Sequence, residues 1–214
     1  MDANYLNDRI AWANNQVARR IGTQMDAYRP AGCDDPLAPR NRFLRLPVAF
    51  TASPGNFNQT NGYGSATCYA HFDSAYTQPG DYLVAPDHIV FVAAQESLQP
   101  VLCVRTNRVL TILRPAAPNA IGSNSYGGLV PVNSTPVIRN WPASVLGMAT
   151  AGMPLTGLPL DVTLPQWTVL LPNSGGIAPA PSDLVQDDRG MRAVIVSAEI
   201  SALGWRMIIR QASP

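Results

Sequence analysis

The chain contains no lysine: its 15 basic residues are all arginine, and Glu96 and Glu199 are its two glutamates. Charge of either sign is scarce. Charged residues make up 14% of the 214, where an ordinary soluble domain carries roughly 25%. A monomer so short of charge must cover its surface with uncharged polar and apolar groups. The net charge of +1 gives no overall pull toward nucleic acid or membrane. Two explanations of the arginine bias stay open together, a GC-rich coding sequence and a need for planar, bidentate contacts at protein interfaces.

Cysteine is scarce as well. Cys33, Cys68 and Cys103 are odd in number and widely spaced, which argues against a disulfide framework and fits a reducing compartment. No apolar run approaches the roughly 18 residues of a membrane span. The opening Met1-Asp2-Ala3-Asn4 lacks the basic region and apolar run of a secretory leader, so none is expected.

What the chain does have is 20 prolines and 16 glycines, the composition of many turns between short strands. One helix is expected before them. Leu6, Ile10, Ala13, Val17 and Ile21 repeat at the spacing of one helical face. Asp2 or Asn4 can cap its start, Gly22 can end it, and Arg9, Arg19 and Arg20 extend its polar side. Such a helix packs either on its own domain or on a neighbouring subunit.

Strands are expected at Met25–Arg29, Arg42–Thr51, Thr67–Phe72, Tyr82–Val84, Ile89–Ala94, Val101–Thr106 and Val109–Arg114, then Val137–Asn140, Trp167–Leu171, Arg192–Glu199 and Trp205–Gln211. Pro47 favours an edge position or bulge within its strand. Closely spaced strands with turn signals indicate small antiparallel barrels or sandwiches. The expected organisation is a mainly β chain: an N-terminal amphipathic helix (1–24), a first β module (25–115), a linker (116–136) rich in Pro, Gly, Ala, Asn and Ser, and a second β module (137–214).

Between Asn140 and Ser182 the one charged residue is Asp161. Prolines at 142, 154, 159 and 165 exclude a membrane helix there. A span so poor in charge either covers its own core or meets another chain; the second alternative is the working expectation.

An internal repeat links the two modules. Val90-Phe91-Val92-Ala93-Ala94-Gln95-Glu96-Ser97 matches Val194-Ile195-Val196-Ser197-Ala198-Glu199-Ile200-Ser201 at a shift of 104. A small residue, an aspartate and an apolar pair precede each copy, Gly80-Asp81-Tyr82-Leu83 and Ser182-Asp183-Leu184-Val185. Duplication of one hairpin module is expected, against chance likeness between two apolar hairpins.

Tests for chemistry come out negative. Cys68-x-x-His71 lies on a strand, where the two side chains point to opposite faces, and no second ligand pair is near enough for zinc. His88 reads as a solvated turn residue. Gly122-Ser123-Asn124-Ser125-Tyr126-Gly127-Gly128 lacks nucleophile-elbow spacing and a phosphate-loop lysine. Asp34-Asp35, Asp187-Asp188, Asp73 and Asp81 read as solvated turn carboxylates rather than calcium ligands or an acid–base pair. No catalytic, metal or cofactor site is expected. Tyr28-Arg29, Arg139 with Trp141, and Trp205-Arg206 could stack bases or sugars, but equally suit interface anchors. The candidate interface residues are Ile10, Val17, Arg19, Arg20, Trp141, Leu146, Met148, Met153, Leu155, Leu158, Trp205 and Arg206.

The succession Gly80-Asp81-Tyr82-Leu83-Val84, Ile89-Val90-Phe91-Val92-Ala93 and Val101-Leu102-Cys103-Val104-Arg105-Thr106-Asn107-Arg108-Val109, ending at Arg114-Pro115, resembles structural proteins of tailed bacteriophages and prophages. So does the opening helix followed by Tyr28-Arg29-Pro30. The resemblance covers roughly residues 5–115 and, more loosely, 167–211. It implies a non-enzymatic virion protein, assembled in the bacterial cytoplasm, whose small barrels form a homo-oligomeric ring. Its implied partners are other copies of itself and sheath, tube, hub or neck proteins, with no membrane, no specific nucleic acid and no cofactor. The length and second module favour a tail or baseplate subunit over a neck adaptor or stopper. A carbohydrate- or receptor-binding β module is the alternative from another class.

Overall fold

Prolines and glycines divide the chain into short strands that close on themselves twice. A computed structural model describes residues 3–51, 65–115, 134–147, 165–173, 176 and 178–212. The helix α1 (Ala3–Ile21) leads into β1 (Thr23–Tyr28), β2 (Arg42–Thr51), β3 (Thr67–His71), β4 (Tyr82–Val84), β5 (Ile89–Ala94) and β6 (Val101–Arg105). These strands close a barrel in the order β1-β2-β3-β6-β5-β4. Then β7 (Arg108–Arg114), β8 (Thr135–Gly147), β9 (Gln166–Leu171), β10 (Leu184–Asp187), β11 (Arg192–Ser201) and β12 (Gly204–Gln211) close a second in the order β7-β8-β9-β12-β11-β10. Each strand of the first barrel has a counterpart in the same place in the second.

The expected division at 116–136 is therefore corrected. Strand β7 belongs to the second barrel, and the junction is the pair Thr106-Asn107. Asn107 holds it like an extra strand residue. Its backbone N–H donates to the Ala143 carbonyl (2.9 Å), its side-chain Nδ2 donates to the Val145 carbonyl (2.9 Å), and its Oδ1 accepts from the Val145 N–H (2.8 Å).

The repeat also holds in detail, with a different register. Gly80 N–H donates to the Val92 carbonyl and Val92 N–H to the Asp81 carbonyl; Ser182 and Ile195 do the same with Ile195 and Asp183. The shift is thus 102 at the turn and 103 on the strand, not 104. Both β5 and β11 carry a bulge just after this point, between Val92 and Ala94 and between Ile195 and Ser197. One residue of register moves a side chain to the other face: Val92 corresponds to buried Ile195, not to Val196, which is 45% exposed.

Prolines mark a third equivalence. Pro47 and Pro142 sit opposite Gln24 and Val109, just before β2 and β8 exchange one neighbouring strand for the other. Each strand has a single partner at that point, so the missing N–H costs no ladder bond.

Met25, Ala27, Leu46, Val48, Cys68, Phe72, Leu83, Val90, Val92 and Cys103 fill the first barrel. The second barrel's core, with Leu110, Ile112, Val169, Val185, Ile195, Met207 and Ile209, is continuous with Tyr82, Phe91, Ala93 and Val104 on the outside of the first. The outer face of β4–β6 is thus buried against the second barrel. Each fully buried side chain of this size contributes roughly 1.5–3 kcal/mol, so the joint behaves as core.

Candidate interaction surface

Two matched ion pairs hold the turns that begin β4 and β10. Arg29 donates from Nε to Asp81 Oδ1 (2.9 Å) and from Nη2 to Oδ2 (2.8 Å), while Gln78 N–H donates to Oδ2 (2.9 Å). Arg114 donates in the same way to Asp183 Oδ1 and Oδ2 (both 2.9 Å), and Ala180 N–H to Oδ2 (2.8 Å). Each guanidinium also reaches a backbone carbonyl, of Tyr76 and of Ala178. Hydrogen bonding to the carboxylates raises both arginines further above their ordinary value. Both aspartates are buried, which corrects the expectation that Asp81 is a solvated turn residue. His88 is corrected too: its ring is half-buried, 2.8 Å from Asp87 and edge-on to Phe50.

The joint accounts for one candidate interface residue. Trp141, expected at a partner surface, is fully buried. Its Nε1–H donates to the carbonyls of Asp34 (3.0 Å) and Cys33 (3.3 Å) in the loop after β1. Its ring meets Tyr82 edge-on, and the Tyr82 hydroxyl donates to the Pro142 carbonyl (2.8 Å). Elsewhere along the joint a crevice of about 210 Å³ remains between Phe91, Ala93 and Leu102 on one barrel and Leu170, Leu171 and Trp205 on the other.

The helix does not dock by its apolar stripe. The face that meets β2 and β3 carries Ala18, which is fully buried, and Asn14, whose Oδ1 lies 3.1 Å from His71 Nδ1. Gly22 permits the approach, since a Cβ there would lie 2.7 Å from the Val48 carbonyl oxygen. The centre of the stripe is rotated by about 80° from that face. Val17 is 44% and Ile21 76% exposed, and Leu6 and Ile10 are half-buried. Arg19 and Arg20 are exposed beside it.

The far end of the chain is also apolar. The first barrel's joint residues Tyr82, Phe91, Ala93, Leu102 and Val104 correspond, through the shared pairings, to Leu184, Val194, Val196, Ile208 and Arg210. Leu184, Val194 and Ile208 are half-buried, Val196 is 45% exposed and Arg210 is exposed. Ile200 and Leu203, 51% and 49% exposed, stand at the β11–β12 turn, where Leu203 lines the crevice between the barrels.

The other candidates divide. Leu146 is half-buried at the end of β8, Trp205 is half-buried in the crevice, and Arg206 is exposed, donating to Glu199 (2.7 Å). Met148, Met153, Leu155 and Leu158 lie outside the described residues, as does the glycine- and serine-rich run 122–128. Cys68 faces Cys103 across β3 and β6 inside the first barrel, and burial pushes both thiols up, which makes them poor nucleophiles. His71, by contrast, points outward beneath α1. The two clamping aspartates and the β10–β12 face were missing from the sequence candidates. The aspartates recur in the repeat, and that recurrence was the available signal.

No family model matches the chain, and no curated protein or solved structure matches it either.

Proposed function

We propose that this chain is a non-enzymatic structural subunit of a virion, a ring-forming tail or baseplate protein of a tailed bacteriophage that links neighbouring tail proteins. The observation that carries the reading is the stack itself. Two barrels of one topology join through a buried apolar face, while the equivalent face of the second barrel stays partly exposed, as does the helix stripe. A molecule built this way has a continuing surface at each end, as a ring subunit requires. The resemblance of residues 5–115 to phage structural proteins supplies the setting. The low charge removes much of the electrostatic cost of packing such surfaces against other proteins.

Two measurements test this. Light scattering of the purified protein is expected to give a defined oligomer. Mass spectrometry of particles from the host carrying the gene is expected to find the chain in a fixed ratio to other tail proteins. A strictly monomeric protein that is absent from particles refutes the reading.

A further inference from the structure

We infer that the chains join head to tail, the apolar stripe of α1 in one copy lying on the outer face of β10–β12 in the next; this rests on the ring reading above. The occupant follows from what already covers each equivalent surface within the chain. On the second barrel the outer side of β8 and β9 is covered by the first barrel: Ser144 is buried, and Leu170 lines the crevice with Phe91 and Ala93. On the first barrel the equivalent strands β2 and β3 are covered by α1, with Ala49 and His71 at the places of Ser144 and Leu170. The helix therefore stands where a preceding barrel would stand. Along the stack the order is helix, barrel, barrel and then an apolar face, and the element that comes next is the helix of another copy.

Arg210 distinguishes a helix from another barrel as the occupant. It takes the place of Val104, which is 4% exposed in the joint. A second barrel docked in the same way would bury that guanidinium, at a cost a charge without a partner cannot recover. A helix is narrower and covers Leu184, Val194, Val196 and Ile208 while Arg210 stays at the rim. The helix has the surface for it, because its own barrel takes the Ala18 and Asn14 side and leaves Val17 and Ile21 exposed. Such a contact is heterologous, joining two different patches, and it closes into a ring or runs on as a filament according to the rotation per step.

The test uses the full chain with Cys33, the half-buried thiol, replaced by serine. Val17→Cys and Val196→Cys are introduced singly and together, and a short bis-maleimide is added. The head-to-tail contact predicts a ladder of linked species beyond dimer in the double variant and in neither single one. Dimers alone from Val17→Cys would mean that helices pair with helices, and a link confined to one chain would mean that the chain covers its own end face; either overturns the contact. Separately, Val17→Asp and Val196→Asp are each expected to weaken self-association at least about tenfold, with Val17→Asp combined with Val196→Arg restoring it. An oligomer of unchanged size in both aspartate variants overturns the contact and leaves the ring reading standing. A wild-type protein that is monomeric at every concentration overturns both.

Discussion

Removing Arg29 leaves the Asp81 carboxylate buried with, among the described residues, the Gln78 N–H as its remaining donor, and the size of the resulting loss is a direct measure of what the turn clamp does. Breaking a buried pair by deleting one partner costs roughly 3–5 kcal/mol. Here the aspartate side chain is 1% exposed but the arginine is 42% exposed, so part of the interaction is screened by water. Arg29→Met is accordingly expected to cost about 2–3 kcal/mol, below the fully buried range. For a chain of this length that corresponds to a fall of roughly 5–10 °C in Tm. Asp81→Asn keeps the shape of the turn and leaves an arginine that can turn to solvent, so its cost is expected to be smaller, about 1–2 kcal/mol. The double variant should cost less than the sum, because neither change leaves an orphaned charge once both are made. The second barrel provides an internal control: Arg114 and Asp183 are 39% and 3% exposed with matching distances, so Arg114→Met should fall within about 0.5 kcal/mol of Arg29→Met. Urea denaturation followed by tryptophan fluorescence measures all of these. Costs below about 0.5 kcal/mol at both sites, additive in the double variant, would make the clamps ordinary surface pairs and refute their role in holding the turns.

Other expectations are simpler. His71 sits beneath α1, and partial burial lowers its pKa. The unfolded chain then binds that proton more readily, so the stability is present above the ordinary histidine value of about 6.5 and is lost as pH falls toward the lowered folded value. The urea midpoint should drop on acidification, and His71→Gln should flatten that part of the profile; an unchanged profile contradicts the assignment. Gly22→Ala should loosen α1 from the first barrel, seen as faster amide exchange through the helix, because a Cβ there collides with the Ala18 and Val48 carbonyls. Tyr82→Phe leaves the Pro142 carbonyl without its donor at the joint and should cost about 1–2 kcal/mol in urea denaturation. Ser182 stands at φ 76° where the other barrel has Gly80, so Ser182→Gly should stabilise by about 1 kcal/mol, and a lower Tm would count against the equivalence.

The strands were legible because proline, glycine and aspartate punctuate apolar runs, and β2, β4 and β5 fall on the residues those signals select. The boundary between barrels was not legible. Composition changes at 116, whereas the change of pairing partner occurs at Thr106-Asn107, which carries neither glycine nor proline. The repeat was visible but its register slipped by one. The run Val90-Phe91-Val92-Ala93 is buried on both faces, inside the barrel and at the joint, and so lacks the alternation that fixes register. The clamps were hidden because Arg29 and Arg114 lie 52 and 69 residues from their aspartates. The apolar stripe of α1 was evident in its spacing, but its orientation was not. The docked face is centred on Ala18 and Asn14, and alanine and asparagine give no hydrophobic signal.

The short junction also governs how the molecule can be taken apart. A fragment cut where the composition changes, near residue 115, would carry β7 away from every strand it pairs with. It would expose Leu110 and Ile112, both fully buried in the intact chain, on a loose strand with free edges, an invitation to aggregate. Ending the fragment at Arg105 spares it that strand but bares Tyr82 and Phe91. The halves share too much buried surface to be handled separately, and at the bench the indivisible unit is the pair.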